Sequence, residues 1–530
     1  MKRSTELLRL ADTVVLPGFE GRIPPDWVLR RLGRGLTGVV LFSRNIGAPA
    51  QLAELTAALR AENLQVLVGI DEESGDVTRL EAAAGSTRPG NYALGVVDDV
   101  GLTEEIAAGL GRDLALAGVN LNFAPSADVN SNPRNPVIGL RAFGADPGLV
   151  ARHTAAWVRG MQSAGVAACA KHFPGHGDTS VDSHHSVPLV AATIEELHEV
   201  ALRPFRAAVA EGVRSVMTGH LLVRALDPVL PATLSGRVLH DLLRAELGFE
   251  GVIVTDGIEM AAVSGRYGIG GASALAVAAG ADAVCVGGEH ADEETADAVR
   301  DAIVDAVVEG RLPEERLADA ARRVCDLALW GASARRSAAG HVTAAPGGPG
   351  EPSIGLVAAR RALRVTRRSA VAAFPLPAPP HVVELAPETN LAIEKDTPWG
   401  VGEPLGKLLP GTTVTRLGAP AATGAAAEAA LAAAAGRPLV VVVRDAHRHA
   451  WQIDTLTHLL AARGDAIVVE MGLPARSDFG AVHIATHGSA RVCGQAAAEL
   501  LAGAAGPGAG DAGPGAGDAG PGPSRRSAEV

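Results

Sequence analysis

The stretch KHFPGHGDTSVDSHHSVP, residues 171–188, holds four histidines, a lysine and two aspartates. Burying that many ionisable groups without partners would be costly, and no helix or strand gains from such crowding. A loop built for proton transfer is the alternative, because an imidazole titrates near neutrality and both donates and accepts protons. A carboxylate beside it fixes the tautomer and stabilises the imidazolium. Asp182 and His184 stand two residues apart, and Gly175, Gly177 and Pro188 favour the turn that would fold them together. A zinc set drawn from His172, His176, His184, His185 and Asp178 is the competing reading. Clustered histidines alone do not make a ligand set, and no HExxH register is present, so no metal and no cofactor is expected. A second reactive candidate is Asp256, which closes the run GVIVTDG (251–257). An aspartate there suits a nucleophile at a strand end or the N-cap of a following helix.

These residues need a scaffold. Eight apolar runs precede Ala/Leu/Glu-rich helical stretches: 13–18, 38–45, 66–71, 120–128, 167–175, 215–222, 251–257 and 283–288. That alternation indicates parallel βα units, and eight of them closing on themselves make a TIM-type (β/α)8 barrel. Asp71, Lys171, His172, His220 and Asp256 all fall at strand ends, where a barrel keeps its active site. An open doubly wound sheet would put polar residues there too, and the count of eight favours the barrel. The barrel is expected over 1–335 and a Pro/Gly-rich linker over 336–355. A smaller open α/β domain is expected over 356–503, with strands at 437–447, 465–474 and 481–488, before a Gly/Pro/Ala-rich tail at 504–530.

The bulk numbers narrow the class. At 530 residues the chain exceeds what one hydrophobic core usually supports. A net charge of -12 argues against nucleic acid as a partner. Four scattered cysteines lack metal spacing, and Cys169 and Cys285, inside strand-like runs, read as buried thiols. No run is long enough to span a bilayer, and Glu6, Arg9 and Asp12 interrupt the N-terminal apolar residues, so a cytoplasmic location is expected.

Four stretches, DEESGDVTRL (71–80), NPVIGLRAFG (135–144), KHFPGHGDTSVDSH (171–184) and PATLSGRVLHDLLRAELGFEGVIVTDGIEM (231–260), carry a family resemblance. In them the chain resembles glycoside hydrolase family 3, in particular the β-N-acetylglucosaminidase branch with the peptidoglycan-recycling enzymes. The resemblance implies a retaining exo-β-N-acetylglucosaminidase acting on muropeptide or chitin-type oligosaccharides ending in GlcNAc. Asp256 would be the nucleophile, His184 with Asp182 the acid/base dyad, and Asp71, Arg79, Arg141, Lys171 and His172 the substrate-binding residues. His185 is the decoy beside His184, while His176 and Asp178 would shape the loop and His220 would line the pocket. Where the family has Arg, Asp76 would change the charge beside the pocket, and Gly257 replaces an Asp or Ala.

Two other functions stay open. Inorganic phosphate could replace water as acceptor, giving a phosphorylase, since a histidine base does not repel an anion as a carboxylate would. A sugar-binding protein that kept the barrel would be expected to have lost Asp256, Asp182 or His184, and all three are present. The second domain offers no residue for the chemistry, and the histidine-rich AHRHAWQ (446–452) reads as a solvated loop.

Overall fold

The computed structural model describes residues 3–180, 187–338, 352–390, 392–422 and 424–504. Every expected barrel strand is present: β1 (Val15–Pro17), β2 (Gly38–Leu41), β3 (Leu67–Ile70), β4 (Leu121–Asn122), β5 (Ala167–Phe173), β6 (Ser215–Thr218), β7 (Val252–Thr255) and β8 (Val284–Val286). Parallel ladders join β2 to β7 in chain order, a bridge between Val254 and Ala283 links β7 to β8, and β8 pairs with β1. The ring closes by packing of β1 on β2. A Cβ on Gly38 would lie 2.7 Å from the Leu16 side chain, so only glycine allows that approach.

Each of the eight strands sends a side chain into one interior cluster: Leu16, Val40, Leu67, Leu121, Cys169, Met217, Val254 and Cys285. Val324, Leu327 and Ala328 of helix Glu314–Ala338 join the same cluster and close the barrel floor. Burying side chains of this size contributes about 1.5–3 kcal/mol each. The strands are mostly apolar because both faces are covered, which is why they read as near-continuous runs. Outer helices start at aspartate caps: Asp99 accepts from the Leu102 amide, Asp146 from Leu149 and Asp292 from Thr295.

The second domain is a six-stranded sheet. It comprises β9 (Arg364–Arg367), β10 (His381–Leu385), β11 (Thr413–Leu417), β12 (Leu439–Val443), β13 (Ile467–Glu470) and β14 (Val482–Ala485). The order is β9-β14-β13-β12-β10-β11, parallel except for β9. Val440 and Val442 join one cluster while Val441 and Val443 join another on the opposite face, so helices cover both sides. The three carboxy-terminal runs expected as strands are β12, β13 and β14. The other three strands escaped the sequence reading, and β9 and β11 did so because they are edges. RVTR and TVTRL are largely exposed and polar, as suits an edge that must not recruit another chain.

The carboxyl ends of this second sheet face the barrel. His447 Nε2 donates to the Pro133 carbonyl at 3.1 Å, Asn390 to the Pro136 carbonyl at 3.4 Å, and Arg361 pairs with Asp99 at 2.8 Å. The AHR stretch is therefore a contact on the barrel rather than a solvated loop. Among the described residues, no helix is long and apolar enough to cross a membrane.

Candidate active site

The site begins at Glu73, which is 2% exposed, three residues beyond the end of β3 at Ile70. Its carboxylate takes a two-pronged contact from Arg141, at 2.9 and 2.7 Å, and lies 2.7 Å from Lys171 Nζ. Lys171, on β5 and itself 2% exposed, also donates to Asp71 at 2.6 Å. Two anions and two cations thus interlock, and the buried charges are individually paired, which is what keeps such a cluster tolerable. Burial works against ionisation of Glu73, but Arg141 and Lys171 prevail and hold its carboxyl far below the usual carboxylate range. Burial likewise opposes the Lys171 ammonium, and Asp71 and Glu73 raise its pKa regardless.

His172 extends the cluster. Arg141 can only donate, so its 3.3 Å contact with His172 Nε2 makes that nitrogen the acceptor. The proton then sits on Nδ1, which donates to Asp128 at 2.8 Å. Asp128 is fully buried and also accepts from the His176 amide at 2.6 Å, the His172 amide at 3.2 Å and the Ser126 hydroxyl at 3.1 Å. Burial pushes the Asp128 carboxyl up, but His172 and His176 hold it below its ordinary value.

The segment after β5 is clamped to the loop after β4. Asn135 donates to the His176 carbonyl at 2.8 Å, and Asn132 to the Thr179 carbonyl at 3.1 Å. His176 Nδ1 meets the Thr179 hydroxyl at 2.6 Å, and burial drives the ring down to about 4. His176 therefore shapes this segment, as expected. Asp182, His184 and His185 lie outside the described residues.

Asp256 follows β7 directly, half-buried. Its amide donates to the Thr218 carbonyl at 3.2 Å and its Oδ1 accepts from the Gly257 amide at 2.8 Å. It caps no helix: the next one starts at Ala261 with Met260 at its cap. Two neighbours pin its loop. His220 Nε2 donates to the Gly257 carbonyl at 2.9 Å, and Glu259 Oε1 accepts from the Gly287 and Gly288 amides at 3.0 and 2.5 Å. Asp71 follows β3, Lys171 lies near the carboxyl end of β5 and Asp256 follows β7, all strands of one parallel barrel. The three groups thus share one end of the barrel.

Arg79 sits apart from this cluster. Its guanidinium donates to the Ala392 carbonyl of the second domain at 3.0 Å and lies 3.9 Å from Glu394. Asp76 lines a cavity with Glu73 and Arg141, and its carboxylate is at the same time bound by the second domain. Arg444 and Ser489 of the second domain hold its two oxygens at 3.0 and 2.6 Å. Sequence reasoning also missed Glu73, Asp128 and Glu259. Glu73 was visible only as the third residue of an acidic DEE run, and Asp128 as the last residue of a strand-like segment.

The chain thus joins a (β/α)8 barrel, with interlocked carboxylates and cations at one end, to a second α/β domain. Residues 32–327 match the glycosyl hydrolase family 3 N terminal domain, and the chain belongs to that family. It is 34% identical over 315 residues to β-hexosaminidase A of Pseudoalteromonas piscicida, covering 55% of this chain and 52% of that one. It therefore spans about half that relative's length. It is 39% identical over 266 residues to a β-hexosaminidase of Pseudomonas aeruginosa strain LESB58, covering 49% of this chain and 77% of the relative. A solved glycoside hydrolase family 3 β-N-acetylglucosaminidase from Paenibacillus sp. str. FPU-7 superposes with a TM-score of 0.81 at 34% identity, covering 94% of this chain and 97% of that one.

Proposed function

We propose that this protein is a retaining exo-β-N-acetylglucosaminidase that removes terminal β-linked GlcNAc from muropeptide or chitin-type oligosaccharides. The observation that carries the reading is the interlocked set Asp71, Glu73, Lys171, Arg141 and His172 at the same barrel mouth as Asp256. Such a set presents fixed donors and acceptors to sugar hydroxyls without reorganising when they arrive. The names of the β-hexosaminidase relatives support the same substrate class.

In this reading the Asp256 carboxylate attacks the anomeric carbon as the glycosidic C–O bond breaks. His184, oriented by Asp182, gives its proton to the leaving oxygen. The same imidazole then takes a proton from water, which attacks the anomeric carbon and releases Asp256. Asp71, Lys171, Arg141 and His172 hold the sugar, and the family resemblance adds Arg79 at the domain boundary. Lys171 and Arg141 are both matched by carboxylates, which favours water over phosphate as acceptor. A cytoplasmic setting belongs to the proposal, and its support is that all four cysteines are free.

Incubation with p-nitrophenyl β-N-acetylglucosaminide, with and without phosphate, tests this directly. Free GlcNAc at a phosphate-independent rate is expected. GlcNAc-1-phosphate with strong phosphate dependence would make the enzyme a phosphorylase, and no nitrophenol under either condition would sink the reading.

A further inference from the structure

The turn that follows β3 does two things at once. Ser74 and Gly75 both adopt positive φ, +65° each, and the Glu73 amide donates to the Val77 carbonyl at 3.0 Å, which makes the reversal tight. A Cβ on Gly75 would lie 2.7 Å from Gly90 Cα, so the turn is wedged against the barrel and tolerates little there. On one side of it Glu73 holds Arg141 and Lys171. Three residues on, Asp76 is gripped by the second domain: Arg444 at 3.0 Å, with both side chains 7% exposed, and the Ser489 hydroxyl at 2.6 Å. Arg444 leaves the end of β12, and Ser489 lies beyond β14. Arg79, at the far side of the same loop, is tied to the Ala392 carbonyl. Two strand ends and a loop of the second domain therefore converge on one ten-residue segment of the barrel, 71–80.

We infer that Asp76 and Arg444 are positioning residues for sugar binding: the second domain holds the turn through this pair so that Glu73 keeps Lys171 and Arg141 aimed at the substrate. The inference rests on the sugar-site reading of that cluster. The physical case is the placement of the pair. A buried carboxylate that loses its cation leaves an uncompensated charge and must move or protonate, and here it is only three residues from the hub of the cluster. Arg361 and Asp99 make another ion pair between the domains, but both are more than a third exposed and they lie outside the 71–80 loop. They provide the contrast that separates turn positioning from domain docking in general.

The test compares Asp76→Ala, Arg444→Met, the charge-swapped double variant Asp76→Arg/Arg444→Asp, and Arg361→Ala, all in the full chain. KM and kcat are read with p-nitrophenyl β-N-acetylglucosaminide, GlcNAc affinity by titration calorimetry, and Tm by thermal melt. The first two variants are expected to raise KM and the GlcNAc Kd about tenfold with kcat within about twofold, and the swap to recover most of that loss. Arg361→Ala is expected to leave KM at the wild-type value. A lowered Tm with unchanged KM in the first two variants would overturn the inference, as would an equal rise in KM for Arg361→Ala. Calorimetry reads the sugar site without turnover, so an inactive protein that still binds GlcNAc tests the clamp by itself. A wild-type protein that neither cleaves the glycoside nor binds GlcNAc would overturn the sugar-site reading and this inference with it.

Discussion

At the strand ends of the barrel, Glu73 is fully enclosed yet held charged by Arg141 and Lys171. At the strand ends of the second sheet, Glu470 is equally enclosed but is held by peptide groups: the amides of Asp445 at 3.0 Å, Gly472 at 2.7 Å and Ala446 at 3.5 Å. Burial, and then the neighbouring Asp445 charge, push its carboxyl up to about 8. Both domains end parallel strands in acids, and they treat them differently: Glu73 is enclosed between two buried cations, Glu384 of β10 meets the half-exposed Arg416 at 2.6 Å, and Glu470 is met by peptide groups. A binding site for a polar ligand needs charges that persist when solvent leaves, whereas a structural tie between loops does as well with a protonated acid.

The sharpest break of this contrast is at Asp256. Asp256→Asn is expected to lower kcat by about 10^3-fold or more while leaving the thermal melt near wild type. No substitution at the strand ends of the second sheet should have a comparable effect on kcat. Next in size is Glu73→Gln, which leaves Lys171 and Arg141 without their shared anion. It should cost about 3–5 kcal/mol in urea unfolding, together with loss of GlcNAc binding.

Acid should weaken the second domain through its histidines. Burial lowers His483 and His487 to about 4, so between pH 6.5 and 4 the unfolded chain binds more protons than the folded one. Stability is expected to fall as pH drops through that window, by at most about 1.4 kcal/mol per unit for each ring, and His483→Gln should flatten the melting profile there. The opposite slope belongs to Glu470→Gln. Its raised folded pKa contributes stability that is full below about pH 4.5 and lost as pH rises through about 8. The variant should therefore hold its stability between about pH 4.5 and 8, where wild type loses at most about 1.4 kcal/mol per unit, a difference read in pH-resolved melts.

The barrel was legible in sequence because its strands are covered on both faces and read as near-continuous apolar runs. The edges β9 and β11 were not, since an exposed strand has no need of such a run. Within the site, Asp71, Lys171, His172 and Asp256 were picked out by residue type and strand position, and Arg141 only by the family resemblance. Glu73 was not, because its meaning comes from Arg141, 68 residues away. The tie from Asp76 to the second domain was hidden for the same reason at longer range: its cation is 368 residues distant in the chain.

One consequence follows from the floor of the barrel, where helix Glu314–Ala338 sends Val324, Leu327 and Ala328 into the interior. A cylinder packed with side chains to its base is no conduit. Whatever is released at the mouth must leave by the doorway through which the next molecule arrives. Accumulating monosaccharide and fresh substrate should then exclude one another, a competitive inhibition visible in progress curves that bend early.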